Sequence, residues 1–291
     1  MNKKIVGIGF QDVGKIYWFS PNFLNLKVND LVVVETIRGL ELGRVVSPIK
    51  EVDSEKLNLN LKDIIRVASQ KDIKDYHKNL ELAKEAYYKA KKIIENEKLQ
   101  MKTLGCEYTL DGTKLLIYYT AEGRVDFREL VKILAGEFKV RIELRQIGPR
   151  EAAKMIGGVG ICGRPMCCVN HLREFDLVTM KMAKDQGMVL SANKIAGQCG
   201  KLLCCIGYEC KAYEEKKNRL PDLGDIVKTP NNQNGKVTSV NLLTETIQVD
   251  IDGLVEIHPA SKLTIVSKNS KRGEKVSAEE IELSKELEAK E

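Results

Sequence analysis

The first 66 residues alternate short apolar runs with turn residues, a pattern typical of small β-sheets. Residues 5–10, 30–34 and 43–46 are rich in valine, isoleucine and leucine, as strands often are. No apolar repeat of three or four residues runs through them, so no helix is predicted there. We therefore expect residues 1–66 to form a small β unit.

The pattern changes near residue 69, where apolar residues start to recur every three or four positions. The recurring residues are Ile73, Tyr76, Leu80, Ala83, Tyr87, Ala90 and Ile94. Charged residues occupy the other faces, so the pattern predicts one long amphipathic helix over residues 70–98. Its apolar stripe would pack either on its own domain or against a partner helix, and both interpretations are open.

The stretch after this helix predicts a hairpin, a second helix and a strand. Asp111-Gly112 separates two apolar runs, and Asp-Gly is a strong hairpin signal because both turn positions need positive φ. Asp126 then precedes a helical pattern, and residues 140–144 alternate as a strand. With the long helix, these elements predict an α+β domain over residues 67–148, in which one helical layer covers a sheet.

Residues 220–267 return to short strands separated by turn residues, including an Asn-rich turn before Gly235. This stretch loosely repeats the signals of residues 1–66, and we expect both to be small barrel-like units. The last residues, 268–291, are highly charged and fit either a short helix or disorder. The whole chain is therefore predicted to be a multidomain α+β protein.

Composition and charge change this picture little. Hydrophobic residues make up 43% of the 291 residues and charged residues 30%, as in ordinary soluble proteins. The net charge of +6 is small against 47 basic and 41 acidic residues, which favours a mixed surface over a dedicated nucleic-acid face. No apolar run approaches the roughly 18 residues of a membrane helix, and no export signal is evident. We expect a cytoplasmic protein that reaches membranes only through partners.

The cysteines are concentrated in one segment. Seven of the eight lie between residues 162 and 210, and only Cys106 lies outside. A chain that stays in a reducing compartment is not expected to build a disulfide framework, so dense cysteine indicates metal or redox chemistry. We therefore predict a cysteine-rich metal-binding segment over residues 149–219.

A direct repeat lies within this segment. Residues 162–168 read Cys-Gly-Arg-Pro-Met-Cys-Cys and residues 199–205 read Cys-Gly-Lys-Leu-Leu-Cys-Cys, 37 positions later. Each copy follows a glycine-containing run, whose flexible backbone would let several sulfurs converge. The six candidate metal ligands are Cys162, Cys167, Cys168, Cys199, Cys204 and Cys205.

The spacing favours an iron–sulfur cluster over zinc. Structural zinc sites usually pair C-x₂₋₄-C elements into a tetrahedral set of four, whereas each copy here ends in two adjacent cysteines. Neighbouring side chains diverge in extended backbone, so they reach separate irons of a cluster more easily than one small ion. Zinc and redox-active or inert thiols are the alternatives. Each copy is one thiolate short of four, and Cys210, a partner chain, water or pooling of the two copies would supply the missing ligands.

The remaining candidate features are weaker. The glycine spacing of residues 158–163 matches the dinucleotide-binding fingerprint G-x-G-x-x-G. The fingerprint should follow a strand, whereas these residues follow a helical pattern and include Cys162, so we do not expect a dinucleotide site. His171 lies close enough to Cys168 to be a minor ligand candidate, and Cys106 is expected to be an ordinary buried thiol. Basic residues near the repeat would either offset thiolate charge or bind RNA, and both roles are open. No Ser-His-Asp set or paired carboxylates indicate a hydrolase.

These residues resemble those of the bacterial YaaT (RicT) family of stage 0 sporulation and regulatory Ric proteins. The matching segments are residues 124–131, 141–148, 157–168, 180–186, 194–205 and 223–230. The resemblance extends over most of the chain up to residue 266, and the double cysteine pattern is highly specific. The resemblance implies that the six repeat cysteines are the cluster ligands and that Cys210 lies outside the ligand pattern.

The resemblance also implies a non-enzymatic regulator. It implies a complex with two small helical Ric-type partner proteins that carries [4Fe–4S] clusters, with partner cysteines completing the ligand sets. Such a complex acts with a membrane-anchored endoribonuclease on polycistronic messages and influences sporulation, competence and biofilm formation. The alternatives from other classes are a zinc-ordered RNA-binding protein and a thiol redox enzyme.

Overall fold

The structure is a computed structural model that describes residues 2–53 and 61–268. The charged tail predicted at residues 268–291 lies outside the described residues except for its first residue. The described residues combine helices with three sheets, which confirms the mixed α and β class. Two compact units, Met1–Glu174 and Phe175–Glu291, make up the chain and are described separately. Among the described residues, no helix combines the length and apolar character that crossing a bilayer requires.

The first unit begins with an antiparallel sheet of six strands. They are β1 (Asn2–Gly9), β2 (Tyr17–Phe19), β3 (Leu31–Glu35), β4 (Leu40–Val45), β5 (Lys50–Asp53) and β6 (Ile64–Val67). The order is β2-β1-β4-β3-β6, with β5 paired to β1, and the described strands form an open sheet instead of a barrel. Gly43 permits the close approach of β4 to β1, since a Cβ there would lie 2.3 Å from Ile8 Cγ2.

Helix α1 (Gln70–Asn96) occupies almost the whole of the predicted range. It begins with a capping box, in which the Ser69 hydroxyl accepts from the Asp72 backbone N–H and the Asp72 carboxylate accepts from the Ser69 backbone N–H. The ion pair with Arg66 and the Ser69 hydrogen bonds hold the pKa of Asp72 well below its usual range. The buried part of the stripe packs on the sheet of its own domain, whereas Leu80 is exposed.

A three-stranded sheet follows, with helices on both faces. Its strands are β7 (Lys102–Tyr108), β8 (Lys114–Thr120) and β9 (Arg141–Gln146), and the helices are α2 (Arg128–Phe138), α3 (Pro149–Ile156) and the single turn α4 (Cys167–Asn170). The order is β7-β8-β9, with β7 antiparallel and β9 parallel to β8. The hairpin has a positive φ at Gly112 but not at Asp111.

Strand β8 is buried on both faces, which differs from the single helical layer predicted from the sequence. Leu115 and Ile117 pack with α1 and α2. Leu116 and Tyr118 point to the other face and pack with Ala152 of α3. The apolar run of β8 is therefore the signature of a strand covered on both sides, and α3 leads directly from this core into the first cysteine repeat.

The second unit combines short helices with a five-stranded antiparallel sheet. Its elements are α5 (Met180–Asp185), α6 (Ala192–Ile195), α7 (Cys204–Arg219), β10 (Ile226–Lys228), β11 (Asn234–Asn241), β12 (Thr246–Ile251), β13 (Leu254–Pro259) and β14 (Thr264–Ser267). The order β13-β12-β11-β10-β14 leaves an open sheet among the described strands. Lys216 and Arg219 of α7 both lie within ion-pair distance of Glu245, at 3.3 and 2.9 Å, which ties the helix to the β11–β12 turn.

Candidate metal centre

The first cysteine repeat folds as a tight loop held by backbone hydrogen bonds. We name residues 157–170 the first cysteine module. Val159 and Pro165 form an isolated antiparallel bridge across its neck. Inside it, the Gly160 N–H donates to the Arg164 carbonyl at 2.8 Å, and the Gly163 N–H donates back to the Gly160 carbonyl at 3.0 Å. Cys162 lies at the tip of this turn.

The second repeat folds in the same way, 37 residues later. We name residues 194–207 the second cysteine module. Ala196 and Leu202 form the corresponding bridge. The Gly197 N–H donates to the Lys201 carbonyl at 2.8 Å, and the Gly200 N–H donates to the Gly197 carbonyl at 2.9 Å. Every one of these hydrogen bonds has its counterpart in the first module, so the sequence repeat is also a structural repeat.

The glycine after the first cysteine of each repeat is required by the backbone. Gly163 and Gly200 both have φ of +77°, in the left-handed region that other residues adopt only at a cost. The sulfur of the first cysteine then lies over an earlier glycine. The ideal Cβ position of Gly160 is 3.5 Å from Cys162 Sγ, and that of Gly197 is 3.7 Å from Cys199 Sγ.

We expect Gly163→Ala to weaken the turn of the first module by about 1–2 kcal/mol, because a left-handed backbone costs an L-residue that much. No atom lies within 4 Å of the added Cβ, so the effect comes from the backbone alone. Amide exchange at Gly160 measures it, and Gly163→Asn should be milder because asparagine tolerates this region. Gly123→Ala is the matched control, since Gly123 is equally open and has no positive φ. Equal protection in the two alanine variants would contradict the assignment.

The second and third cysteines of each repeat begin a helix. Cys167 and Cys168 open α4, and Cys204 and Cys205 open α7. The first backbone N–H groups of a helix have no intrahelical partner, so they are available to hydrogen-bond an anionic group. Cys168 is buried, whereas Cys167, Cys204 and Cys205 are half-buried and Cys162 is exposed.

The two modules rest on different surroundings. The second is anchored in an apolar cluster of Ala183, Ile195 and Ile206, and the Gln186 side chain donates to the Ile206 carbonyl at 2.7 Å. The methionines between the repeats pack on this cluster, so they contribute to an ordinary core. The first module instead leaves Val159 exposed at its neck.

The donor types of the modules suit a metal bound by thiolates. All eight cysteines carry thiols and none is in a disulfide, so each module offers three potential thiolate ligands on one short loop. Within residues 2–53 and 61–268, no three His, Cys, Asp or Glu side chains already form a group placed to hold a metal ion. The fit therefore rests on donor chemistry and on the repeated loop geometry.

The other candidate residues have different environments. Burial raises the pKa of Cys106 to about 12, which keeps it a neutral thiol. Burial, followed by a hydrogen bond to the Glu214 carboxylate at 3.4 Å, also raises the pKa of Cys210. His171 follows α4 and is exposed. His258 lies 2.9 Å from Glu256, on β13.

Sequence reasoning missed one set of contacts around the first module. Lys154 and Arg173, which flank it, both donate to backbone carbonyls of the loop between β1 and β2. Backbone carbonyls leave no mark in the sequence, so no pattern could have indicated this loop. The register of Gly160 with Gly197, by contrast, was visible in the sequence and predicts the shared turn.

Two known protein families match parts of this chain. The PSP1 C-terminal conserved region matches residues 62–147, which include α1 and the three-stranded sheet. The third domain of PSP1-like proteins matches residues 177–220, which include the second cysteine module.

Two relatives show how far the similarity extends. Stage 0 sporulation protein YaaT of Bacillus subtilis (strain 168) is 45% identical over 247 residues, which cover 85% of this chain and 90% of that protein. An uncharacterized protein of Schizosaccharomyces pombe is 29% identical over 155 residues, 44% of this chain and 21% of that protein. No solved structure matches the chain.

Proposed function

The chain belongs to the YaaT family of stage 0 sporulation proteins, and from this membership we propose that it is a regulatory scaffold which binds iron–sulfur clusters. The observation that supports the proposal most directly is the pair of cysteine modules with the same backbone hydrogen bonds. A fold that builds one three-thiol loop twice, with each left-handed glycine in register, is better explained by ligand binding than by packing.

The residues that would hold the cluster are the six repeat cysteines. They are Cys162, Cys167, Cys168, Cys199, Cys204 and Cys205. The bound cluster would supply either a structural cross-link or a response to iron and redox state. The chain's own part is to present thiolates on two short loops whose backbone is fixed by internal hydrogen bonds.

A heteromeric complex fits the number and placement of these donors. Each module offers three thiols, one short of the usual four, and two small helical partner proteins would supply the missing ligands. Ile156, Val159 and Ile161, which precede Cys162 in the sequence, are exposed, and such apolar side chains suit a protein–protein contact. Zinc in place of iron would give the same protein a purely structural centre.

In this proposal the complex acts in the cytoplasm with a membrane-anchored endoribonuclease and promotes the processing of polycistronic messages. The chain itself is not an enzyme, and its association with the membrane would be peripheral and indirect. Its outputs would be developmental: sporulation, competence and biofilm formation. The Bacillus subtilis relative is a stage 0 sporulation protein, which supports the first of these.

Deletion of the gene in its own bacterium tests this function. We expect uncut polycistronic transcripts to accumulate when RNA ends are mapped, and a wild-type copy to restore cleavage. A copy with Cys167→Ser and Cys204→Ser should fail to restore it, whereas Cys106→Ser should succeed. Unchanged transcript ends in the deletion strain would contradict the role in RNA processing, and full rescue by the double variant would contradict the role of the modules.

A further inference from the structure

The first cysteine module is fastened at both ends to one loop. Lys154 lies on α3, three residues before the module, and its Nζ donates to the Val13 carbonyl. Arg173 lies three residues after the module, and its Nη1 and Nη2 donate to the Gly14 and Asp12 carbonyls at 3.1 and 3.0 Å. We name residues 11–14, which join β1 to β2, the carbonyl loop.

These contacts add to the small buried part of the first module, in which Met166 and Cys168 are 9% and 5% exposed, because the apolar residues around its neck are exposed. Ile156, Val159 and Ile161 are 72%, 56% and 58% exposed. In the second module, Ile195 and Ile206 are 0% and 1% exposed, so apolar packing fixes its position. Hydrogen bonds from charged donors are stronger than those between neutral groups, and three of them, from two side chains to one loop, restrict both ends of the first module.

We propose that Lys154 and Arg173 are positioning residues for the thiols of the first module, and that the carbonyl loop is part of its metal site. This inference rests on the proposed cluster binding. Ligands bind metal tightly only when their supporting groups hold them near the productive geometry. Both cations lie outside the module and donate to carbonyls of the carbonyl loop, so they act on the ligand sulfurs only through the chain that connects them.

The reactivity of the thiols in the metal-free protein tests directly whether Lys154 and Arg173 hold the first module in place. In Lys154→Met/Arg173→Met, we expect Cys167 and Cys168 to be alkylated about tenfold faster than in the wild type, because the module opens more often. Cys204 and Cys205 in the same molecules serve as the internal control, and their rates should not change. Peptide mass spectrometry reads both pairs in one sample.

Two further variants sharpen the result. Lys154→Arg/Arg173→Lys keeps both charged donors and should return the rates close to those of the wild type. Lys132→Met removes an exposed lysine paired with Glu129 in the same unit, and should change neither module. Unchanged rates at Cys167 and Cys168 in the methionine variant would overturn the proposal, and so would an equal increase in both modules.

Metal retention tests the second half of the proposal. From protein loaded with iron and sulfide, a chelator should remove iron about 10–100-fold faster in the methionine variant, as for other outer supporting groups of metal sites. Equal removal rates would overturn the assignment to the metal site. Failure of the wild type to bind any iron would instead overturn the proposed function. The alkylation rates would then still show whether Lys154 and Arg173 hold the first module in place.

Discussion

Replacing Cys167 and Cys204 together with serine is expected to lower the iron affinity of the protein by at least about 100-fold, more than the loss of an outer supporting group. Serine does not form an anionic ligand near neutral pH, whereas a cysteine thiolate does. Cys167 is the first residue of α4 and Cys204 is the first residue of α7, so the double variant removes one proposed ligand from each module. Iron and acid-labile sulfide in anaerobically prepared protein provide the measurement.

The design separates ligand loss from general damage. Cys106→Ser is the matched control, because Cys106 is a high-pKa thiol outside both modules. Cys210→Ser is a second control within α7, since Cys210 is buried and paired with Glu214. Both controls should keep wild-type iron. If the double variant also kept it, the six cysteines would not be the ligands.

Ile206→Ala is expected to lower the opening free energy of α7 by about 2–5 kcal/mol, the cost of a large-to-small change at a fully buried position. Ile206 follows Cys205 directly and packs with Ala183 and Ile195, so the cavity would form beneath the second module. Hydrogen exchange of the α7 amides provides the measurement. Cys204 and Cys205 should become more reactive in the same variant.

The first module offers the comparison for this variant. Val169 occupies the position 37 residues before Ile206 and is only half-buried. Val169→Ala should therefore cost about 1 kcal/mol or less. If the two variants had equal effects, the distinction between a core-anchored module and a tethered one would be wrong.

Periodic features were the part of the fold that sequence could predict. The stripe of α1 predicted the helix to within two residues of its end, because a three- and four-residue repeat that continues from residue 73 to residue 94 is a strong signal. It did not show that Leu80 stays exposed while Ala90 is buried. Which part of the stripe is covered depends on how the following sheet packs against the helix, and the periodicity of the helix does not show that.

The parts of the fold that the sequence did not predict depend on tertiary packing. Strand β8 is apolar at successive positions, as expected of a strand covered on both faces. The second helical layer was nevertheless missed, because the sequence of α3 predicts a short amphipathic helix but not the sheet face on which it packs. The barrel-like expectation failed because strand signals do not reveal whether the end strands pair. The carbonyl loop was invisible because its contacts use backbone oxygens.

For the candidate site, the repeat and its glycines were readable from the sequence, and the shared loop follows from them. Gly163 and Gly200 fall at the one position of each turn that needs a left-handed backbone. The different support of the two modules was not readable, since it depends on Ile206 entering a core and on Lys154 reaching Val13.

The central proposal is that two loops of the same shape hold sulfur atoms as metal ligands, and the metal content of the native protein tests this most directly. The chain should be prepared without oxygen, alone and together with its candidate partner proteins, and its visible absorption recorded with iron, sulfide and zinc. We expect a brown protein with iron and sulfide in equal amounts, as in a [4Fe–4S] cluster. Colourless material without iron in both preparations would contradict the account.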